Sequence, residues 1–169
     1  MQDTSIDLKT LYAISLEESD KFVQGICRSL DSKMSDISRL LMSDVITDDQ
    51  LQDCILNLAS ILYFTSSQVE RAGIQQDMYT AIRKKTYNEA RLQASGTVAE
   101  KDSMAMLATC TDSVVEDIYA RAYKQMKAKL DSGYEMLNSL KKVMTTRIAE
   151  LELSNSRYIN TRKEDNRWD

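Results

Sequence analysis

Four cations and two phenols crowd one short stretch of this chain: Arg83, Lys84, Lys85 and Arg91, with Tyr79 and Tyr87 among them. Cationic side chains beside aromatic rings are what single-stranded nucleic acid needs, because phosphates are neutralised while exposed bases stack. The same residues also suit a plain solvated helix face, and Glu89 lies within the run. A second basic stretch, Arg121, Lys124, Lys127 and Lys129, alternates with Tyr119, Tyr123 and Met126. Its spacing favours ion pairing across a hairpin or between subunits over ligand binding.

Other chemistries are excluded by missing residues. The chain has no histidine, which removes Ser-His-Asp and Cys-His catalytic sets, His-ligated zinc and the Glu-x-x-His ligands of a di-iron bundle. It has four glycines and neither G-x-G-x-x-G nor G-x-x-x-x-G-K-[ST], so the usual phosphate cradles are absent. Any nucleotide-hydrolysing engine must belong to a partner. Asp44, Asp48, Asp49 and Asp53 lack the glycine and terminal glutamate of a calcium loop and read as acids favoured at a helix N-terminus. Glu17, Glu18 and Asp20 read as the first turn of another helix. No enzyme activity, cofactor or metal is expected.

Cys27, Cys54 and Cys110 are odd in number, show no C-x-x-C spacing and stand where leucine-like residues recur. They read as buried free thiols, which fits a reducing, cytoplasmic setting. The N-terminus lacks a basic and an apolar region, and the longest apolar stretch, 55–64, is broken by Asn57 and Ser60. Neither a secretion signal nor a membrane span is expected.

The elements that position these residues are helices. A chain of 169 residues with no proline and few glycines lacks the punctuation that sheets need, so the fold class is all-α. Three capping boxes divide it: Ser15-x-x-Glu18, Thr47-x-x-Gln50 and Thr97-x-x-Glu100. The first opens a helix over about 16–43 through Leu16, Val23, Ile26, Leu30, Met34, Ile37, Leu40 and Leu41, with a shorter amphipathic piece from Ile6 to Ile14 before it. The second opens a helix that runs ~70 Å to Ser95-Gly96. The third opens a single helix from Val98 to Leu151, longer than ~75 Å.

The expected architecture is a long antiparallel hairpin over 47–153, turning near 95–97. An acidic helical segment precedes it over 1–46, and a polar tail around Trp168 follows over 154–169. With facing residues totalling about 193, Asp48, Asp49 and Asp53 come near Lys141 and Lys142. Charge is segregated: residues 1–70 carry five Lys/Arg against twelve Asp/Glu, and residues 71–169 carry seventeen against fourteen. Helices this long leave apolar surface to cover, so self-association is expected. The row Leu130, Leu137, Leu140, Met144, Ile148 and Leu151 is the expected oligomerisation surface. Gly133, Arg147 and Ser154 interrupt its heptad rhythm and favour an oligomeric helical bundle or ring over a two-stranded zipper.

The segment Lys84-Lys85-Thr86-Tyr87-Asn88-Glu89-Ala90-Arg91-Leu92-Gln93-Ala94-Ser95-Gly96 carries the pattern K-K-x(4)-A-R-L followed by S-G. It resembles the UvsY-type recombination mediator proteins of T4-like phages. The plan over roughly 60–153 is similar too, with a basic-then-isoleucine element at Arg147-Ile148. The resemblance implies a non-enzymatic homo-oligomer that binds single-stranded DNA and helps a RecA-like recombinase displace a single-strand DNA-binding protein, in a host cytoplasm if the chain is phage-encoded. It assigns DNA contact to Lys84, Lys85 and Arg91. Glu89 puts an acid inside the motif, and residues 1–46 have no counterpart in the family plan. A competing reading is a coiled-coil structural or assembly adaptor, of the phage scaffolding type, that binds no DNA.

Overall fold

The computed structural model describes the backbone of residues 8–43 and 45–165, and the side chains of Thr10, 13–43 and 45–155. Over that span the protein is all-α. Four helices follow in order: α1 (Leu8–Leu41), α2 (Asp48–Gln93), α3 (Val98–Ala108) and α4 (Cys110–Asp165). α2 and α4 form the antiparallel hairpin, with α3 at its turn. α1 lies in the groove between them, parallel to α4, as the Phe22–Tyr119 and Asp31–Lys129 contacts require.

The core therefore has three walls. One cluster joins Leu30 and Ile37 of α1, Leu51, Leu58 and Leu62 of α2, and Leu137 and Leu140 of α4. The next joins Val23 and Cys27, Val69 and Ala72, and Ala122 and Met126. Between them α4 passes closest to both neighbours. A β-carbon on Gly133 would lie 2.7 Å from Leu62 Cδ2 and 3.2 Å from Leu30 Cδ1. Gly133, unsuited to a two-stranded seam, is thus the residue that admits a third helix.

Two of the three capping boxes form. Thr47 accepts from Gln50 N–H at 3.2 Å, and Gln50 Oε1 accepts from Thr47 N–H at 3.0 Å. Thr97 and Glu100 reciprocate in the same way. Gly96 precedes this cap at φ 115°, in the left-handed region that favours glycine. Ser15 caps nothing: it is buried inside α1. Ser15 and Ser19 extend the row Val23, Cys27, Leu30 backwards by fours, so the helix continues through them and their small side chains let α1 sit close to the hairpin. Glu17, Glu18 and Asp20 accordingly lie along α1 and not in its first turn; Lys21 bonds Glu17 and Glu18 across one turn. Leu16 and Leu41, read as part of the core stripe, are partly exposed.

The long third helix is interrupted once. Thr109 takes φ −99° and ψ 7° between α3 and α4, and its hydroxyl donates to the carbonyls of Ala105 and Met106 at 2.9 and 3.2 Å. A threonine that bonds the preceding turn competes with the helix ladder. The interruption leaves Cys110 exposed, whereas Cys27 and Cys54 are buried. At the other end α4 runs on to Asp165, through most of the segment read as a polar tail. Trp168, the piece before Leu8 and Asp44 lie outside the described residues.

The charge asymmetry becomes contact. Asp31 of α1 accepts from Lys129 through both carboxylate oxygens at 2.7 Å. Asp48 pairs with Arg147 at 3.0 Å, and Arg147 also donates to Ile46 O at 2.9 Å. The hairpin register is set by Asp48 with Arg147, Leu62 with Gly133 and Gly73 with Tyr123. It is close to the expected one, but Lys141 and Lys142 lie on the exposed side of α4, and Asp48 pairs instead with Arg147.

Candidate nucleic-acid interface

The last four turns of α2 carry the basic motif and leave the three-helix core behind. From Tyr79 onward the neighbours are α3 and the first turns of α4. The Tyr79 ring stacks on Tyr119 with centroids 4.4 Å apart and planes at 20°. Tyr119 in turn meets Phe22 edge to face at 5.5 Å. The hydrogen bond to Tyr79, aided by burial, raises the Tyr119 phenol above its ordinary pKa. Tyr79 is therefore a packing residue whose ring is already engaged.

Beyond this stack an open cleft of about 550 Å3 separates α2 from the α3–α4 interruption, lined by Arg83, Lys84, Tyr87, Asn88, Met106 and Thr109. A second recess of about 610 Å3 continues toward the turn, between Asn88, Arg91 and Leu92 of α2 and Val98 and Lys101 of α3. The motif thus forms one wall of a continuous ledge. Asn88, Met106, Thr109 and Lys101 were not singled out in the sequence; only the hairpin turn brings Lys101 beside Arg91.

The electrostatics of the ledge are nearly balanced. Arg83 Nε pairs with Glu116 of α4, which also accepts from Thr80 Oγ1 at 2.8 Å. Arg91 Nε lies 2.6 Å from Asp102 of α3, and the Tyr87 hydroxyl donates to the same oxygen at 3.2 Å. Lys85 reaches Glu89 at only 3.8 Å, with both side chains largely exposed. Lys84 has no acidic partner among the described residues and opens onto the cleft. Of the six residues marked by the sequence, Arg83, Lys84, Tyr87 and Arg91 are brought together along the ledge, Lys85 projects from it, and Tyr79 lies behind it.

The expected oligomerisation row is divided. Leu137 and Leu140 are buried in the subunit's own core, and Leu130 and Met144 pack against that core. Ile148 and Leu151 are about half exposed, past the end of α2. The groove that the sequence left for another subunit is filled by α1. In the second basic stretch, Lys129 pairs with α1, Tyr123 lies on Gly73, and Met126 is fully buried.

Among the described residues no three Cys, Asp or Glu side chains converge as a metal site, and no helix is long and apolar enough to cross a membrane. The chain matches no family model, and no curated protein or solved structure shows significant similarity to it.

Proposed function

We propose that this chain is a non-enzymatic, single-stranded-DNA-binding recombination mediator that helps load a RecA-like recombinase onto DNA coated with single-strand DNA-binding protein. The supporting observation is the ledge: Lys84 open to solvent, Lys85 beside it, and Tyr87 on the same wall of the cleft. The mediator part of the reading rests on the K-K-x(4)-A-R-L motif alone. Tyr87 is the stacking ring in this reading, and Tyr79 supports it from behind.

Fluorescence anisotropy of a labelled oligo-dT, at low and moderate salt and with the assembly mass measured on the same sample, tests the proposal. Binding that is sequence-tolerant and falls steeply with salt supports it, with a slope near −0.7 per phosphate neutralised on single strands. Lys84→Ala with Arg91→Ala should abolish that binding while leaving helicity and mass unchanged. The function itself is read by recombinase loading on coated DNA. A second reading, the coiled-coil assembly adaptor, is favoured by the ion pairs that already neutralise Arg83 and Arg91. A stable assembly indifferent to DNA at low salt selects it.

A further inference from the structure

α2 is apolar on two opposite sides. Its seven core-facing residues run from Leu51 to Ala72. Leu56, Tyr63, Phe64, Ile74 and Met78 lie elsewhere on the helix and are between 49% and 69% exposed. At 3.6 residues per turn the two sets are centred about 180° apart, so neither α1 nor α4 can reach the outer one. Tyr63 and Phe64 pack against each other edge to face in the open, with centroids 5.5 Å apart. Rows of this kind on an otherwise charged surface mark contact sites.

Charge identifies the occupant. The outer side begins with the exposed acids Asp49 and Asp53 and ends at the exposed base Lys85, with Glu89 one turn beyond it. A second copy running antiparallel sets the acidic end of each α2 against the basic end of the other, whereas a parallel copy sets like against like. The register that places Asp49 opposite the partner's Lys85 also places Leu56 opposite the partner's Met78 and Ser60 opposite the partner's Ile74. Tyr63 and Phe64 then flank the partner's Arg71, whose guanidinium can lie against their rings. Ser67 meets the partner's Ser67, so the helices cross at small side chains.

One register thus satisfies apolar residues and charges together, and it is self-complementary. We infer that the outer side of α2 is a twofold self-association surface that pairs two copies of this chain antiparallel. The strip from Asp49 to Lys85 is ~54 Å long and ~12 Å wide. It covers about 650 Å2 per subunit, inside the span of specific interfaces at roughly 600–1,000 Å2 per partner. The contact is isologous and closes on itself. It can be told apart from DNA binding through Lys84, which faces the cleft and remains free in the pair; Lys85 alone belongs to both surfaces.

The test uses the full chain carrying Cys110→Ser, which leaves only the buried thiols of Cys27 and Cys54. Adding Ser67→Cys should give a disulfide-linked dimer under mild oxidation, while Ser132→Cys, exposed on α4, should not. Light scattering should show an even number of subunits, halved by Tyr63→Ser with Ile74→Ser at unchanged helicity. Asp49→Lys should weaken the assembly, and Lys85→Asp in the same chain should restore it. An odd subunit number, a Ser67→Cys variant that stays uncrosslinked, or a Tyr63→Ser, Ile74→Ser variant of unaltered mass overturns the inference.

Discussion

Glu116 and Asp102 each hold two partners, and those partners are the residues a polyanion would want. Asn at 102 and Gln at 116 keep an acceptor for Tyr87 and Thr80 but release Arg91 and Arg83 from an opposing charge. If the ledge binds single-stranded DNA, Asp102→Asn and Glu116→Gln should each tighten binding several-fold at low salt and steepen its salt dependence by up to about 0.7 in slope. An anisotropy titration at several salt concentrations reads both effects; unchanged affinity would assign these cations to structure alone. A second residue-scale prediction concerns Ser19, fully buried with no partner for its hydroxyl. A buried hydroxyl without a hydrogen bond costs about 1–3 kcal/mol, and alanine is also the better helix former. Ser19→Ala should therefore stabilise the protein by about 1 kcal/mol, seen as a rise of roughly 2–4 °C in Tm. Gly133→Leu should act in the opposite sense, because its side chain must enter space already held by Leu62 and Leu30; a loss of about 1–3 kcal/mol is expected in urea denaturation.

At the scale of elements, the turn between α2 and α3 depends on ionisation. Glu100 accepts from Thr97 N–H at 2.8 Å and from the Thr97 hydroxyl at 3.0 Å, and these bonds hold its carboxyl below the usual carboxylate range, the backbone bond contributing most. A depressed carboxyl pKa gives stabilisation that is complete above the unfolded value and is lost as pH falls through the folded one. Protection against amide exchange, relative to the intrinsic rate at each pH, should consequently fall at the start of α3 on acidification below about pH 4.3, the ordinary glutamate value, and Glu100→Ala should show lowered protection at neutral pH as well. The cap and the turn were legible because Thr97, Glu100 and Gly96 act through neighbours in sequence. The start of α1 was not legible, since serine at 15 signals a cap as readily as a small core residue, and its burial is set by packing that the local sequence does not show. The break at Thr109 was hidden for a related reason: a β-branched hydroxyl residue is tolerated in most helices, and nothing local says when it will bond the turn before it.

For the whole molecule, the decisive fact is that α1 belongs to the core. Residues 1–46 read as an acidic helical segment ahead of the hairpin, and within it Val23, Cys27, Leu30 and Ile37 are among the most buried side chains. Removing 1–46 would strip one wall from both clusters, so the truncated chain should lose its cooperative thermal transition or aggregate. The helices, the hairpin and its turn could be read from periodicity because those patterns are local. Which helix covers the hairpin could not, because a second copy and α1 offer the same apolar spacing, and only the approach at Gly133 favours the helix already in the chain. The ledge was half legible for the same reason. Its cations were visible as a run, but their acidic partners come from α3 and α4.

Gly133 also sets a clock. Leu62 and Leu30 are made first, and the glycine that lets α4 close over them is added some seventy residues later, roughly 4–14 s at ribosomal speed. Throughout that interval the nascent α1–α2 pair has a wet apolar flank and no lid. Elongation rate, and not the intrinsic speed of helix formation, therefore governs how long each newborn chain stays vulnerable to its neighbours on the same messenger.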